Sequence, residues 1–215
     1  MSDGSDGSGG VRAEGLRERK RRQTRQAVSD AAVALFLERG FDAVSVAEVA
    51  AAAEVSKPTL FRYFPAKEDL VLHRFADHEG EAARVVAGRP GGVSPLAALE
   101  RHFIEALDRR DPVTGLCDAP EVLAFHRLVY GTPSLVARLY AFQGRSERAL
   151  AEALGGGVPA RLAAGQIVAV LRILAEENWR RIAAGESADR VRPDAGATAR
   201  LAFARLATGI DADRK

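Results

Sequence analysis

Only one cysteine, Cys117, occurs in the 215 residues. A lone thiol cannot close an intrachain disulfide, so a disulfide-stapled fold is excluded. The four histidines, His73, His78, His102 and His126, show no H-E-x-x-H spacing, and Cys117 has no metal-binding motif around it. A Gly-rich phosphate loop and a nucleophile elbow are also missing. No catalytic residue, metal ligand or cofactor is assigned, and the expectation is that the chain is not an enzyme. No apolar run reaches the roughly 18 residues of a membrane span. The opening segment MSDGSDGSGG lacks the apolar stretch of a secretory signal. A cytoplasmic protein with no membrane partner is expected. Strand signals are lacking too: there is no sustained alternation and no Asn-Gly or Asp-Gly turn between β-branched runs.

What is present is apolar and helix-forming. Hydrophobic residues make up 47% of the chain, enough for one or two domains with real cores. Alanine, the best helix former, is abundant. Net charge is only +2, yet it is unevenly spread. Val11 to Arg25 holds seven basic residues, Arg22 and Arg25 among them, against Glu14 and Glu18. One end of the chain is therefore suited to a polyanion.

The Gly/Ser/Asp start predicts a disordered tail over residues 1–16. A first helix is expected to begin within 17–24. Val28, Ala31, Ala32, Leu35 and Phe36 give it an apolar stripe, and Gly40 ends it. Ser45 and Glu48 form a capping box for a second helix, with Val46, Val49, Ala50 and Ala53 on one face. Ser56 is the cap of a short third helix with Pro58 in its first turn, where proline is tolerated. A fourth helix is predicted over about 66–87. Later helices are predicted over about 94–109, 119–130, 133–154, 160–184 and 194–210, separated by Asp111-Pro112, Gly131-Thr132-Pro133, Gly155-Gly156-Gly157 and Arg192-Pro193.

Two short helices joined by a tight turn and braced by a longer one are the plan of a helix-turn-helix DNA reader. The string SVAEVAAAAEVSKPTLFRYFPAKEDL, residues 45–70, resembles the N-terminal domain of the TetR (tetracycline repressor) family. Val55-Ser56, Thr59-Leu60-Phe61, Tyr63-Phe64 and Lys67-Glu68-Asp69-Leu70 keep step with that family's pattern, as does LFLERGFDAVSV over 35–46. Two positions depart from it. Glu54 stands where the turn usually has Gly, and Ala66 where the fourth helix usually has a Ser or Asn cap.

The resemblance implies an all-α fold: a three-helix DNA-binding domain over 17–66 and a helical regulatory and dimerisation domain over 67–212. It implies a homodimeric repressor that binds a palindromic double-stranded DNA operator and is released by a small apolar effector. Its implied DNA-facing residues are Arg22, Arg25, Ser45, Ser56, Lys57, Pro58, Thr59, Phe61, Arg62, Tyr63 and Lys67. Their chemistry agrees. Lys57 suits a phosphate near free backbone N–H groups. Arg62 suits a guanine edge, Phe61 a thymine methyl. Tyr63 and Lys67 suit phosphates. Leu60 and Phe64 are expected in the core.

The later helices offer weaker signals. Phe103, Leu107, Phe125, His126, Tyr140 and Trp179 are the candidates for an effector pocket, together with Leu128, Tyr130 and Phe142, and with His102, Arg127 and Glu176 as further polar anchors. Ile167, Val170, Leu171, Leu174 and Leu201 are the candidate dimer contacts. The alternative reading is a helical small-molecule-binding protein or enzyme without DNA binding, whose N-terminal helices only pack.

Overall fold

The computed structural model describes residues 8–208, and among them all regular structure is helical. The chain divides into two compact units, residues 1–74 and 75–215.

In the first unit, α1 (Ser8–Arg39), α2 (Val46–Ala52), α3 (Lys57–Tyr63) and α4 (Lys67–Leu72) enclose a small core. Val28, Phe36, Val44, Leu60, Phe64 and Leu70 are all almost wholly buried there. The predicted caps are present. The Ser45 hydroxyl accepts from the Glu48 N–H at 3.2 Å, and the Glu48 carboxylate accepts from the Ser45 N–H at 2.8 Å. The Ser56 hydroxyl accepts from the Thr59 N–H at 3.2 Å. Helices of seven residues are marginal alone, so these caps and the buried faces hold them. A buried serine adds a crosslink: Ser29 Oγ donates to the Leu70 carbonyl at 2.6 Å.

The expected start of the first helix needs correction. It begins at Ser8 rather than within 17–24, so residues 8–16 are helical and only residues 1–7 of the expected tail lie outside the described residues. Its exposed stretch from Glu18 to Gln26 is rich in Arg, Lys and Gln, which propagate helix well. Glu18 and Arg21 add an i, i+3 pair at 4.0 Å.

The predicted helix over 66–87 is also corrected. It breaks into α4, a 3-10 segment His73–His78, and α5 (Glu81–Ala87). Gly80 lies between the last two with φ +71°, a conformation that ends an α-helix. The boundary between the two units falls within the 3-10 segment.

The second unit contains α5, α6 (Pro95–Asp108), α7 (Pro120–Gly131), α8 (Pro133–Ala153), α9 (Gly157–Ala183) and α10 (Ala188–Thr208). α8 packs along α9, α10 against α6 and α9, and α5 against α8 and α6. Leu99, Leu107, Leu116, Leu150, Val191 and Phe203 form the centre of the core. The start of α10 was expected after Pro193, but the helix begins at Ala188 and carries Pro193 inside. Two acceptors explain the extra turn. The Asp118 carboxylate takes the Ala188 N–H at 2.8 Å, and Ser187 Oγ takes the Arg190 N–H at 3.4 Å. Ile210, placed on the sequence's last helix, lies outside the described residues.

A loop at 111–118 lies directly on α9. Asn178 Nδ2 donates to the Thr114 carbonyl at 2.9 Å in a buried position. Gly115, at φ +73°, sits so close that a Cβ there would come within 2.0 Å of the Ala175 carbonyl oxygen. Only glycine fits that approach.

Candidate nucleic-acid interface and ligand cavity

α3 is two-faced. Leu60 and the residue that ends the helix, Phe64, point into the core, whereas Lys57, Pro58, Phe61 and Arg62 face outward. Phe61 is 47% exposed, an unusual position for a large apolar ring with no buried purpose. The Arg62 guanidinium lies over the Tyr63 ring at 5.4 Å. Ser45 and Ser56, the two caps, are exposed at the N-termini of α2 and α3. Thr59 Oγ1 is within 2.9 Å of Ser56 Oγ, so the two hydroxyls form one polar rim. Arg22 is exposed, and Arg25 is exposed with its guanidinium 5.4 Å from the centre of the Phe64 ring.

Lys67 differs from the other DNA-facing candidates. Its ammonium donates to the Phe41 carbonyl at 2.5 Å and lies over the Phe41 and Phe36 rings at 4.4 and 5.4 Å. It is a strut between α4 and the loop after α1. An ion pair stiffens the same unit. Arg39 meets Glu48 at 2.8 Å. The Glu48 carboxyl is held down at about 2, first by the Ser45 backbone N–H, then by the Ser45 hydroxyl and Arg39.

In the second unit a cavity of about 190 Å³ opens between α5, α6, α8 and α9. Phe75, Phe103, Phe142, Leu139 and Leu171 give it an apolar wall. Its polar end holds a relay. The Glu81 carboxylate is 2.7 Å from His78 Nδ1 and 3.0 Å from His102 Nε2. The hydrogen bond from His78 is the main cause that lowers the Glu81 pKa below its usual range. Arg172 also lines the cavity, but both oxygens of Glu176 take its Nη1 at 2.9 Å.

Of the pocket candidates Phe103, Tyr130 and Phe142 line this cavity, and the polar candidate His102 stands at its polar end. Leu107 is fully buried in the core behind it. Tyr140 is 55% exposed, with Arg172 stacked over its ring at 5.7 Å. Phe125, His126 and Trp179 belong to an adjoining aromatic cluster. Tyr130, which reaches the cavity, stacks on Trp179 at 4.8 Å, and His126 meets both rings edge-on. Burial pushes the His126 pKa down to about 4.

The five dimer candidates also separate. Ile167 and Leu174 point into the protein's own core, and Leu171 lines the cavity. Val170 is half-buried. Only Leu201 faces outward, at 54% exposure. The stripe read from α9 was its inner face. The outer face carries Leu162 and Ile173 instead, at 64% and 54% exposure. α9 is thus apolar on two sides, and by length and composition it could cross a membrane. Its inner side, however, forms the core and the cavity.

Comparison with known proteins agrees with the helix-turn-helix geometry. The family model described as "Bacterial regulatory proteins, tetR family" matches residues 28–73, the span from the buried part of α1 through α4. The HTH-type transcriptional regulator TcmR of Streptomyces glaucescens is 35% identical over 142 residues, covering 64% of this chain and 63% of that protein. Residues 28–73 thus match the DNA-binding domain of the TetR family. The HTH-type transcriptional repressor KstR of Rhodococcus jostii is 32% identical over 100 residues, 46% of this chain and 47% of that protein. The chain thus spans less than two thirds of the length of either curated relative. The fold extends further. The TetR-family regulator SCO0857 of Streptomyces coelicolor is similar over 85% of this chain and 96% of its own, with a TM-score of 0.53 and 24% identity. NalD of Pseudomonas aeruginosa is similar over 84% and 96%, with a TM-score of 0.55 and 19% identity.

Within the TetR family pattern, the two departures now have structural consequences. Glu54 takes φ +54°, the left-handed conformation that glycine adopts without cost. Ala66 offers no side-chain cap to α4. Half of the motif survives, because the Asp69 carboxylate accepts from the Ala66 N–H at 3.1 Å.

Sequence reasoning missed His78, Glu81 and Arg172 in the cavity and Asn178 and Gly115 behind it. His78-x-x-Glu81 is a readable i, i+3 pair. Asn178 continues the buried series Ala160, Ala164, Ile167, Leu174 on α9, and a polar residue on an apolar stripe signals a buried partner.

Proposed function

We propose that the chain is a cytoplasmic, homodimeric transcriptional repressor. It binds a two-fold symmetric DNA operator through α2 and α3 and lets go when a small, largely apolar effector occupies the cavity. The observation that carries this reading is the division of α3. One face is committed to the core, and the other displays a cation at the first turn, an aromatic ring and a guanidinium. That is the set a major-groove helix uses for phosphate, thymine methyl and guanine.

In this reading Lys57, Ser45, Ser56 and Tyr63 hold phosphates. Thr59, Phe61 and Arg62 read bases, with Pro58 shaping the first turn. Arg22 and Arg25 attract the flanking backbone. Lys67 braces the reader's geometry and offers its remaining donors to a phosphate. A single short helix reads one half-site, so a palindrome requires two copies. The outward Leu162, Ile173 and Leu201 supply the apolar surface for pairing α9 and α10 with those of a second chain.

The test is a titration of the purified protein against DNA from immediately upstream of its own gene, at two salt concentrations. Saturable binding that outcompetes random DNA and weakens at high salt is the expected result. Binding no stronger than to random DNA, there and in a genome-wide selection, would refute the reading.

A further inference from the structure

The chemistry of the cavity's polar end restricts what can bind there. Glu81 is an ionised carboxylate and accepts only. Both imidazoles beside it must therefore donate, His78 through Nδ1 and His102 through Nε2. In its neutral form, an imidazole that donates through Nε2 keeps Nδ1 as an acceptor. Glu81 also has lone pairs beyond the two in use. That end of the cavity is therefore rich in acceptors, with the Glu81 charge already engaged by two imidazole donors. Among the described lining residues the sole guanidinium is Arg172, and Glu176 already neutralises it. An acidic ligand would meet a carboxylate and no spare cation, and a charged ligand of either sign would lose solvation inside the apolar wall. A ligand with a neutral hydroxyl donor would meet acceptors, and its rings would meet Phe75, Phe103 and Phe142. An apolar cavity of roughly 150 Å³ accepts benzene, so about 190 Å³ suits one substituted ring or two fused ones.

Resting on the reading of this cavity as the effector site, we propose that its ligand is a neutral hydroxylated aromatic of one or two rings, bound with its hydroxyl toward Glu81 and His102. The acceptor end sets the specificity, and the aromatic wall sets the size.

Equilibrium dialysis of the full chain at pH 8 tests this with four probes: naphthalene, 2-naphthol, 2-naphthoate and 1-naphthylmethylamine. 2-Naphthol should bind about tenfold tighter than naphthalene, and 2-naphthoate more weakly than either. His102→Leu should erase the preference for 2-naphthol and leave naphthalene binding in place. Glu81→Ala should do the same and serves where the first variant is unstable. Tightest binding of the acid or the ammonium, or equal binding of naphthalene and 2-naphthol, would overturn the ligand class and leave the cavity reading standing. No binding of any probe would overturn both.

Discussion

The two units of the molecule are held in different ways. In the first, the helix starts are set locally, and two longer links, Ser29 to Leu70 and Lys67 to Phe41, tie the helices together. Each short helix is started by a residue three positions from its partner, as in Ser45–Glu48 and Ser56–Thr59. In the second, order comes from residues far apart in sequence. Asn178 holds Thr114 across 64 positions, and Asp118 caps Ala188 across 70. Local caps can be edited one at a time at small cost. Long-range contacts are shared by several elements, and losing one loosens all of them.

Substitutions can break that contrast, and the largest effect is expected in the second unit. Gly115→Ala would drive a methyl into the Ala175 carbonyl at an unfavourable φ. A loss of about 4 kcal/mol is expected by urea unfolding. Next comes acid. His126 titrates at about 4 in the folded chain, below its free value of 6.5. The unfolded chain then binds the proton more readily. The stability is intact above pH 6.5 and falls as pH drops toward 4, by on the order of 3 kcal/mol. His126→Leu should flatten that part of the pH profile, measured as the urea midpoint against wild type. The first unit has a different acid window. Glu48, depressed to about 2, stabilises above its free value of 4.5 and ceases to as pH falls through 2. The first unit should therefore lose this contribution over pH 4.5 to 2, below the window of His126, and Glu48→Gln should flatten that part of the profile of the urea midpoint.

Smaller effects should follow from repairing local defects. Glu54→Gly relieves a left-handed turn and should stabilise by about 1 kcal/mol, read from the thermal midpoint. Ala66→Ser restores the missing cap of α4 and should add about 0.5 kcal/mol. A loss of stability in either would show that the turn is held by contacts other than its own backbone.

The same contrast explains what sequence reading can recover. Ser45, Glu48, Ser56 and Pro58 announce helix starts over four residues, so the starts of α2 and α3 were legible almost to the residue, whereas that of α1 was not. The split of Leu60 and Phe64 from Phe61 and Arg62 was legible too, because a helical period separates faces. The cavity was not. His78, Glu81, His102 and Arg172 come from a 3-10 segment and three helices, and no local pattern brings them together. The dimer stripe misled for a related reason. α9 is apolar on both sides, so its period could not say which side, Ile167–Leu174 or Leu162–Ile173, faces inward. The break at Gly80 was readable as a glycine inside a predicted helix, but the apolar stripe around it suggested continuity. Pro193 suggested a stop, because the cap that overrides it, Asp118, lies far away.

The most direct test of the account is fluorescence anisotropy of labelled operator DNA with Lys57→Ala and Tyr63→Ala, alongside thermal melts of the same proteins. Both side chains stand on α3, outside the core that Leu60 and Phe64 form. Operator affinity should fall at least about tenfold in each, with a salt slope shallower by about one for Lys57→Ala, while the melts stay within a degree or two of wild type. Unchanged affinity in both variants would mean that α3 only packs, and the DNA-reading role would have to be abandoned.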